Sequence, residues 1–521
     1  MKHFLLIALM VYGLQGLAQP SQPKRYELEK ENTDDYFTVL PSGKEGVVIL
    51  RDTDEYRKGE GDVWHLVSLD TDLQERWNKE ITLDVKFNIK AYDVRDNHIY
   101  LLFREGEYAK SNYQLIRVGV FDGEVERFNI SNEIELELSR LTLVDDKLIL
   151  GGYVRYSPTL MSYKLGEDKL EVVPGFFKDR SDIVDLRAND NNTFNVITLE
   201  KDYAGVFLRL RMYSYSADIL FEREVRMPDQ KRVLSAKSTG FVNGNISLAG
   251  TYGASKSNYS QGVYFVVVKP EGQDNIIKYH PFSGFERFFD YMRPTRANRV
   301  KEKAKRRAGA GKDYKFSSRL LLNQLQPSSN GYLLTAEVYH PRFDYSNRPM
   351  INNFYGMPYT MNNFAFDNRA SSRYIKQPNS LVNLENANGF EYHQSVVIEL
   401  NRKGGLEWDN SFSIEDIETL SLEQVVHLGE SGNKINMVYL HEDQVRYKII
   451  KQNEDIEEGE QELSLRYETD KIKHTYDGMG GAIHWYDEVF LIWGYQRVEH
   501  QGGHDVEPKR NVLFINKLVF E

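Results

Sequence analysis

Asn243-Gly-Asn-Ile-Ser-Leu-Ala-Gly-Thr-Tyr252 couples a tight polar turn to a strand that is apolar on both faces. Asn and Gly tolerate the positive φ that short hairpin turns need. The same arrangement recurs at Pro41-Ser42-Gly43, Arg95-Asp96-Asn97, Asp145-Asp146-Lys147, Asn189-Asp190-Asn191, Ser329-Asn330-Gly331, Glu430-Ser431-Gly432 and Tyr486-Asp487-Glu488. Each turn is followed by a buried-looking strand, for instance Leu148 to Tyr153 or Ile435 to Leu440, and then by a third strand such as Tyr113 to Val120 or Val445 to Ile450. A fourth, more polar strand closes most units, as before Trp77 and Trp408. Strand quartets at a spacing near fifty residues are the signature of propeller blades. The predicted fold is therefore all-β, a β-propeller of about eight four-stranded blades, with seven as the alternative count and a solenoid or paired sandwiches as the competing architectures. The eighth unit stops at its third strand near Phe520, and the alternating Arg25-Tyr-Glu-Leu-Glu-Lys30 is placed to supply the missing fourth. Strands from both chain ends in one sheet would hide edges that an open sheet leaves unpaired.

Composition narrows the chemistry. The 521 residues include no cysteine, which removes disulfide scaffolds, Cys-ligated zinc, iron–sulfur clusters and thiol nucleophiles. With 77 acidic against 66 basic residues the net charge is −11, so any site for a polyanion must be local, and nucleic acid is not an expected partner. Met1-Lys-His3, the apolar run Phe4 to Tyr12 and small residues at Gly16 and Ala18 read as a Sec signal peptide, residues 1–18, cleaved after Ala18. The apolar run is too short to span a bilayer. The expected mature chain, 19–521, is a single propeller domain in a bacterial periplasm or on the cell surface, without a transmembrane segment.

Two insertions interrupt the repeat. In 283–318, Ser283 and Glu286 form a capping box ahead of Phe285, Phe288, Phe289 and Met292, predicting a short helix with an aromatic face. Pro294 then opens a second predicted helix with the apolar stripe Ala297, Val300, Ala304 and Ala308, ending at Gly309 and Gly311. Its surface carries Arg293, Arg296, Arg299, Lys301, Lys303, Lys305, Arg306 and Arg307, followed by Lys312 and Lys315; against Glu302 and Asp313 these leave a net +8 in an acidic chain. That pattern suits an anionic surface or an acidic face of an envelope protein, or simply a solvated helix over an acidic ring. The second insertion, 340–393, is rich in Asn and aromatics, with Phe354, Tyr355 and Tyr359 as candidate contacts for protein or for a glycan ring. A flap over one propeller face is the alternative.

The order Gly284-Phe-Glu-Arg-Phe-Phe-Asp-Tyr-Met-Arg-Pro294, a basic helix, Gly311-Lys-Asp-Tyr-Lys-Phe316, Tyr332-Leu-Leu-Thr-Ala-Glu-Val-Tyr-His-Pro341 and Trp408-Asp-Asn410 resembles a group of exported, propeller-like proteins of Bacteroidota with a basic helical insertion. The resemblance covers about 130 residues. It implies an exported protein of a two-membrane envelope, and it brings no catalytic residues with it.

Phosphate-loop, dinucleotide, nucleophile-elbow and zincin motifs are absent from the sequence. His500 and His504, beside Glu499 and Asp505, are the nearest approach to a metal loop, but without a helix to align them a solvated turn is the simpler expectation. Asp70-Thr71-Asp72 lacks the later ligands of a calcium loop, and His441-Glu442-Asp443 reads as a hairpin turn. No cofactor and no catalytic residue is assigned. The expected function is a non-catalytic interaction scaffold. The alternative is a propeller enzyme or lectin-like module for glycans or peptides, with carboxylates and His from the first strands of several blades converging at the axial mouth.

Overall fold

The computed structural model describes residues 19–29, 36–84, 87–106, 110–155, 157–175, 181–228, 231–270, 276–312, 314–342, 389–419, 422–476, 480–502 and 507–520. The candidate signal peptide, the contact residues Phe354, Tyr355 and Tyr359, and His504 lie outside them. Eight antiparallel sheets follow one another along the chain, as blades 36–83, 87–130, 137–172, 182–226, 231–281, 320–419, 427–462 and 470–519. The protein is an eight-bladed β-propeller, the larger of the two counts. Each of the eight turns read from the sequence joins the first strand of a blade to its second. Asp96, Asn97, Asp145, Asn243 and Asp487 adopt positive φ there, as their side chains permit.

Among the described residues, those of 36–71 and 75–425 form one compact unit, blades 1 to 6, and those of 19–29, 72–74 and 426–520 another, blades 7 and 8. Within the larger unit the first strands of blades 2 to 6, Phe87–Arg95, Glu137–Val144, Asp182–Ala188, Lys231–Ser238 and Leu320–Pro327, lie each against the next. The apolar core sits between blades. One cluster joins blades 1 and 2 through Leu50, Leu66, Ile99 and Phe103; another joins blades 4 and 5 through Leu199, Leu210, Val233 and Tyr264. Because the second and third strands face a neighbouring blade on each side, their near-continuous apolar runs are what burial on two faces requires.

In the smaller unit, Ser21–Glu29 pairs antiparallel with Lys509–Val519, placing Tyr26 opposite Ile515 and completing the closing blade as its fourth strand. The junction is polar as well as apolar. Arg25 binds Glu27 at 2.8 Å, Arg510 reaches Glu27 at 3.2 Å and Asp470 at 2.7 Å, and His500 Nδ1 lies 2.7 Å from Asp470, all with buried side chains. His500 ends the strand Val489–His500 instead of lying in a solvated loop. Its ring is turned inward by Asp470, which corrects the expectation for this residue.

The basic insertion differs from its sequence reading in its first half. No helix forms over 285–292. A 3₁₀ turn, Phe282–Gly284, is followed by irregular turns. Asp409, from the fourth strand of blade 6, accepts the Glu286 and Arg287 N–H groups at 2.7 and 2.8 Å, taking the role expected of Ser283. The aromatic side chains are nonetheless buried: Phe282, Phe285, Phe288, Phe289 and Met292 fill the gap between blades 5 and 6, with Phe282 stacked on Phe288 at 4.3 Å. The second helix, α1, spans Pro294–Gly309 with Pro in its first turn. Ala297 and Ala304 are buried and Val300 packs on the same cluster, whereas Ala308 is exposed because the helix has run past the edge of that core. In blade 6 the ladder between Gly331–Arg342 and Gly389–Asn401 extends to the pair Arg342 and Gly389. The second insertion is therefore 343–388, shorter than the 340–393 expected, since its roots pair as strand.

Candidate functional site

α1 presents a cationic surface. Arg293, Arg296, Arg299, Lys303, Lys305, Arg306 and Arg307 are exposed, as are Lys312 and Lys315 beyond it. Among the described residues Lys301 alone of these α1 cations is held in an ion pair, 3.0 Å from Asp290, while Lys303 lies over the Tyr314 ring. Arg306 and Arg307 occupy the last turn, where the helix dipole favours positive charge. The first turn is the reverse. Arg293 stands at the N-cap without a side-chain hydrogen bond, no acidic residue follows it, and Arg296 is the third helical residue. Two cations thus sit at the end of the helix that attracts anions.

The turn just before α1 lies against the roots of the second insertion. Tyr291 stacks on His393 with ring centres 5.9 Å apart, and His393 Nε2 is hydrogen-bonded to His340 Nδ1 across the paired strands. Burial holds both imidazoles below the ordinary histidine range; at His340 the partner ring, Arg319 and Arg296 push the same way and Glu391 opposes them. Arg319 stands opposite Tyr339 on the neighbouring strand, on the other face of the sheet from His340. It is only 8% exposed, and its Nε and Nη1 make no hydrogen bond among the described residues. Its guanidinium sits 4.6 Å from the Tyr259 ring centre and acts on the Tyr339 phenol, and its carbonyl accepts the Tyr339 N–H at 3.2 Å. A buried guanidinium with open donors is expensive unless something anionic answers it.

Sequence reasoning singled out Arg296 but passed over Arg319, His340 and His393. The two histidines bracket the insertion in the sequence, but the ladder pairs His340 with Glu391, and it is the register shift at Val338 and Tyr339 that leaves His393 free to meet it. Nothing local marks Arg319.

The first strands of blades 2 to 5 carry a different chemistry. Asp93 accepts the Leu143 N–H at 3.1 Å while Arg95 donates to the Leu143 carbonyl. Asp185 accepts the Ser238 N–H at 2.9 Å and its hydroxyl at 2.5 Å, while Arg187 donates to the Ser238 carbonyl at 2.8 Å. Each Asp-x-Arg pair clamps both backbone groups of one residue on the next blade. These axial carboxylates are engaged in holding blades together. Among the described residues no group of three or more His, Asp or Glu is arranged to hold a metal ion, and no helix is long and apolar enough to cross a membrane.

No protein-family profile matches the chain, and no curated protein is detectably similar in sequence. Solved structures match the chain at low identity and low TM-score. The polysaccharide lyase Uly1 is 8% identical over 95% of this chain and 100% of its own, with a TM-score of 0.38. The β-propeller domain of the Trilobed protease from Pyrococcus furiosus is 6% identical over 84% of this chain and 97% of its own, at 0.33. A Pyrococcus horikoshii acylaminoacyl peptidase is 8% identical over 81%, at 0.35, and this chain spans about half of that peptidase's length. These likenesses concern the fold alone.

Proposed function

We propose that the protein is an exported, non-catalytic interaction scaffold of a bacterial envelope, and that α1 docks an acidic face of a partner protein. The observation that carries this reading is the exposed cationic surface of α1 in a chain of net charge −11. A solvated helix would find its countercharge on the acidic ring beneath it, yet among the described residues Lys301 alone of its cations does so. The engagement of Asp93 and Asp185 as inter-blade clamps favours a scaffold over an axial enzyme. Steering by such a patch is screened by salt. The test is affinity capture from the native envelope with wild type and with Arg299→Glu, Arg306→Glu and Arg307→Glu combined, at low and high ionic strength. A stoichiometric partner lost in the variant and weakened by salt is expected. Equal recovery by both proteins would sink the reading.

A further inference from the structure

We infer that the surface meeting the partner protein is broader than α1 and continues across the hairpins between the second and third strands of blades 4 and 5, where Tyr203 and Tyr259 enter apolar recesses inside the partner's acidic rim. The inference rests on the reading of α1 as the docking element and adds the aromatic anchors that a cationic helix alone lacks.

Chain direction places these pieces at one end of the larger unit. Each blade runs out along its first strand, back along its second and out again along its third. The second-to-third hairpins and the connections from one blade to the next therefore open at the same end. α1 lies in the connection from blade 5 to blade 6. Direct contacts agree with this placement. Ser260, at the start of the third strand of blade 5, exchanges both backbone hydrogen bonds with Ser318, at 2.8 and 2.9 Å, and the Tyr259 ring centre lies 4.6 Å from the Arg319 guanidinium. Just before α1, Tyr291 stacks on His393, near the start of the third strand of blade 6. Blade 4 adjoins blade 5 where its third strand, Gly205–Tyr213, lies against Lys231–Ser238.

The hairpins carry a repeated signal. Tyr56, Tyr203 and Tyr259 stand in this hairpin of blades 1, 4 and 5, and they are the exposed tyrosines among the described residues of the larger unit, Tyr203 fully so. In blades 2 and 3 the sequence between the same two strands holds Tyr108 and Tyr156, which lie outside the described residues. A single exposed ring is ordinary. Recurrence at one turn of successive blades is a pattern that the core does not require. A phenol is rigid and amphipathic, so it anchors a protein interface at small entropic cost, and Tyr and Arg are side chains in which binding energy concentrates. The charges beside two of these rings match those of α1. Lys201 and Lys256 are exposed and make no ion pair among the described residues, while Asp202 is tied to Arg226 at 2.8 Å and the buried Glu200 to Arg209 at 3.0 Å. Blade 1 differs, because Tyr56 stands among Glu55, Glu60 and Asp62 and Arg57 is paired with Glu55 and Glu80. The surface is therefore assigned to blades 4 and 5 and α1.

The test is photo-crosslinking of the full-length protein in its native envelope, from single replacements of Tyr203, Tyr259, Arg299 or Val242 by benzoylphenylalanine. Val242 is the control, exposed in the turn at the opposite end of blade 5. One and the same protein is expected from the first three positions and not from Val242, joined through an acidic peptide at Arg299 and an apolar one at Tyr203 and Tyr259. Tyr203→Ala removes a fully exposed ring, so thermal unfolding should stay unchanged while affinity for the purified partner falls about tenfold. Tyr259→Leu, which keeps an apolar cover beside Arg319, should weaken binding similarly. Different species from Tyr203 and Arg299, as much product from Val242 as from Tyr203, or unchanged affinity with both tyrosines replaced overturns the surface. Crosslinks and affinity that survive the combined Arg299→Glu, Arg306→Glu and Arg307→Glu variant would overturn the docking role of α1 and leave the hairpins standing. A partner lost in that variant but never crosslinked from Tyr203 or Tyr259 would do the reverse, and no product from any position overturns both.

Discussion

At the scale of single residues, the side chains that matter most are polar ones used to fasten backbone. Asp185 takes both the N–H and the hydroxyl of Ser238, and Asp409 takes two consecutive N–H groups at the start of the basic insertion. Glu337, fully buried, accepts the Val425 N–H through both carboxylate oxygens, at 3.0 and 3.2 Å. Removing such an acceptor strands a buried donor, which costs more than the bond itself contributes. Asp185→Ala should therefore lower unfolding free energy by about 2–3 kcal/mol, whereas Asp185→Asn, which keeps one acceptor oxygen, should lose about half as much. Urea unfolding of both variants checks this; equal stability of Asp185→Ala and wild type would show that water satisfies Ser238. The Asp-x-Arg spacing at 93–95 and 185–187 is visible in the sequence. Its role is not, because Leu143 and Ser238 lie about fifty residues further along the chain.

Elements were legible where their signals are local. Turn residues located all eight first hairpins, Pro294 and Gly309 bounded α1, and the alternation in Arg25 to Lys30 marked the strand that completes the last blade. The expected helix after Ser283 failed for a nonlocal reason: Asp409, more than a hundred residues away, competes for the same N–H groups and holds the chain in turns. The closing strand brings a second nonlocal feature, the buried cluster of Arg25, Glu27, Arg510, Asp470 and His500. Burial alone would push the Asp470 carboxyl up, but hydrogen bonds from Arg510 and His500 outweigh it and hold the group below the usual carboxylate range. Glu27→Gln leaves Arg25 and Arg510 short of a counterion and should cost about 3 kcal/mol. Protease digestion near residue 30 should accelerate in parallel. Unchanged digestion would mean that the apolar ladder alone anchors the strand.

In the larger unit three histidines share one electrostatic bias. Burial holds His280, His340 and His393 below the ordinary value, with His280 Nε2 2.7 Å from the Gly404 carbonyl. In the unfolded chain they titrate near 6.5, so on acidification the unfolded state takes up protons first. The stability these neutral rings provide is present above that value and is lost as pH falls through it toward the lower folded values. Urea midpoints should decline between pH 7 and pH 5. A flat profile would show the rings to be solvated. The closing blade carries a further consequence, in time. Tyr26 finds Ile515 only after the chain between them has been made, which at 5–20 residues per second takes roughly 25–100 s. Throughout that interval the strand Ser21–Glu29 waits for its partner Lys509–Val519, and its unpaired edge is open to a chaperone or a second nascent chain.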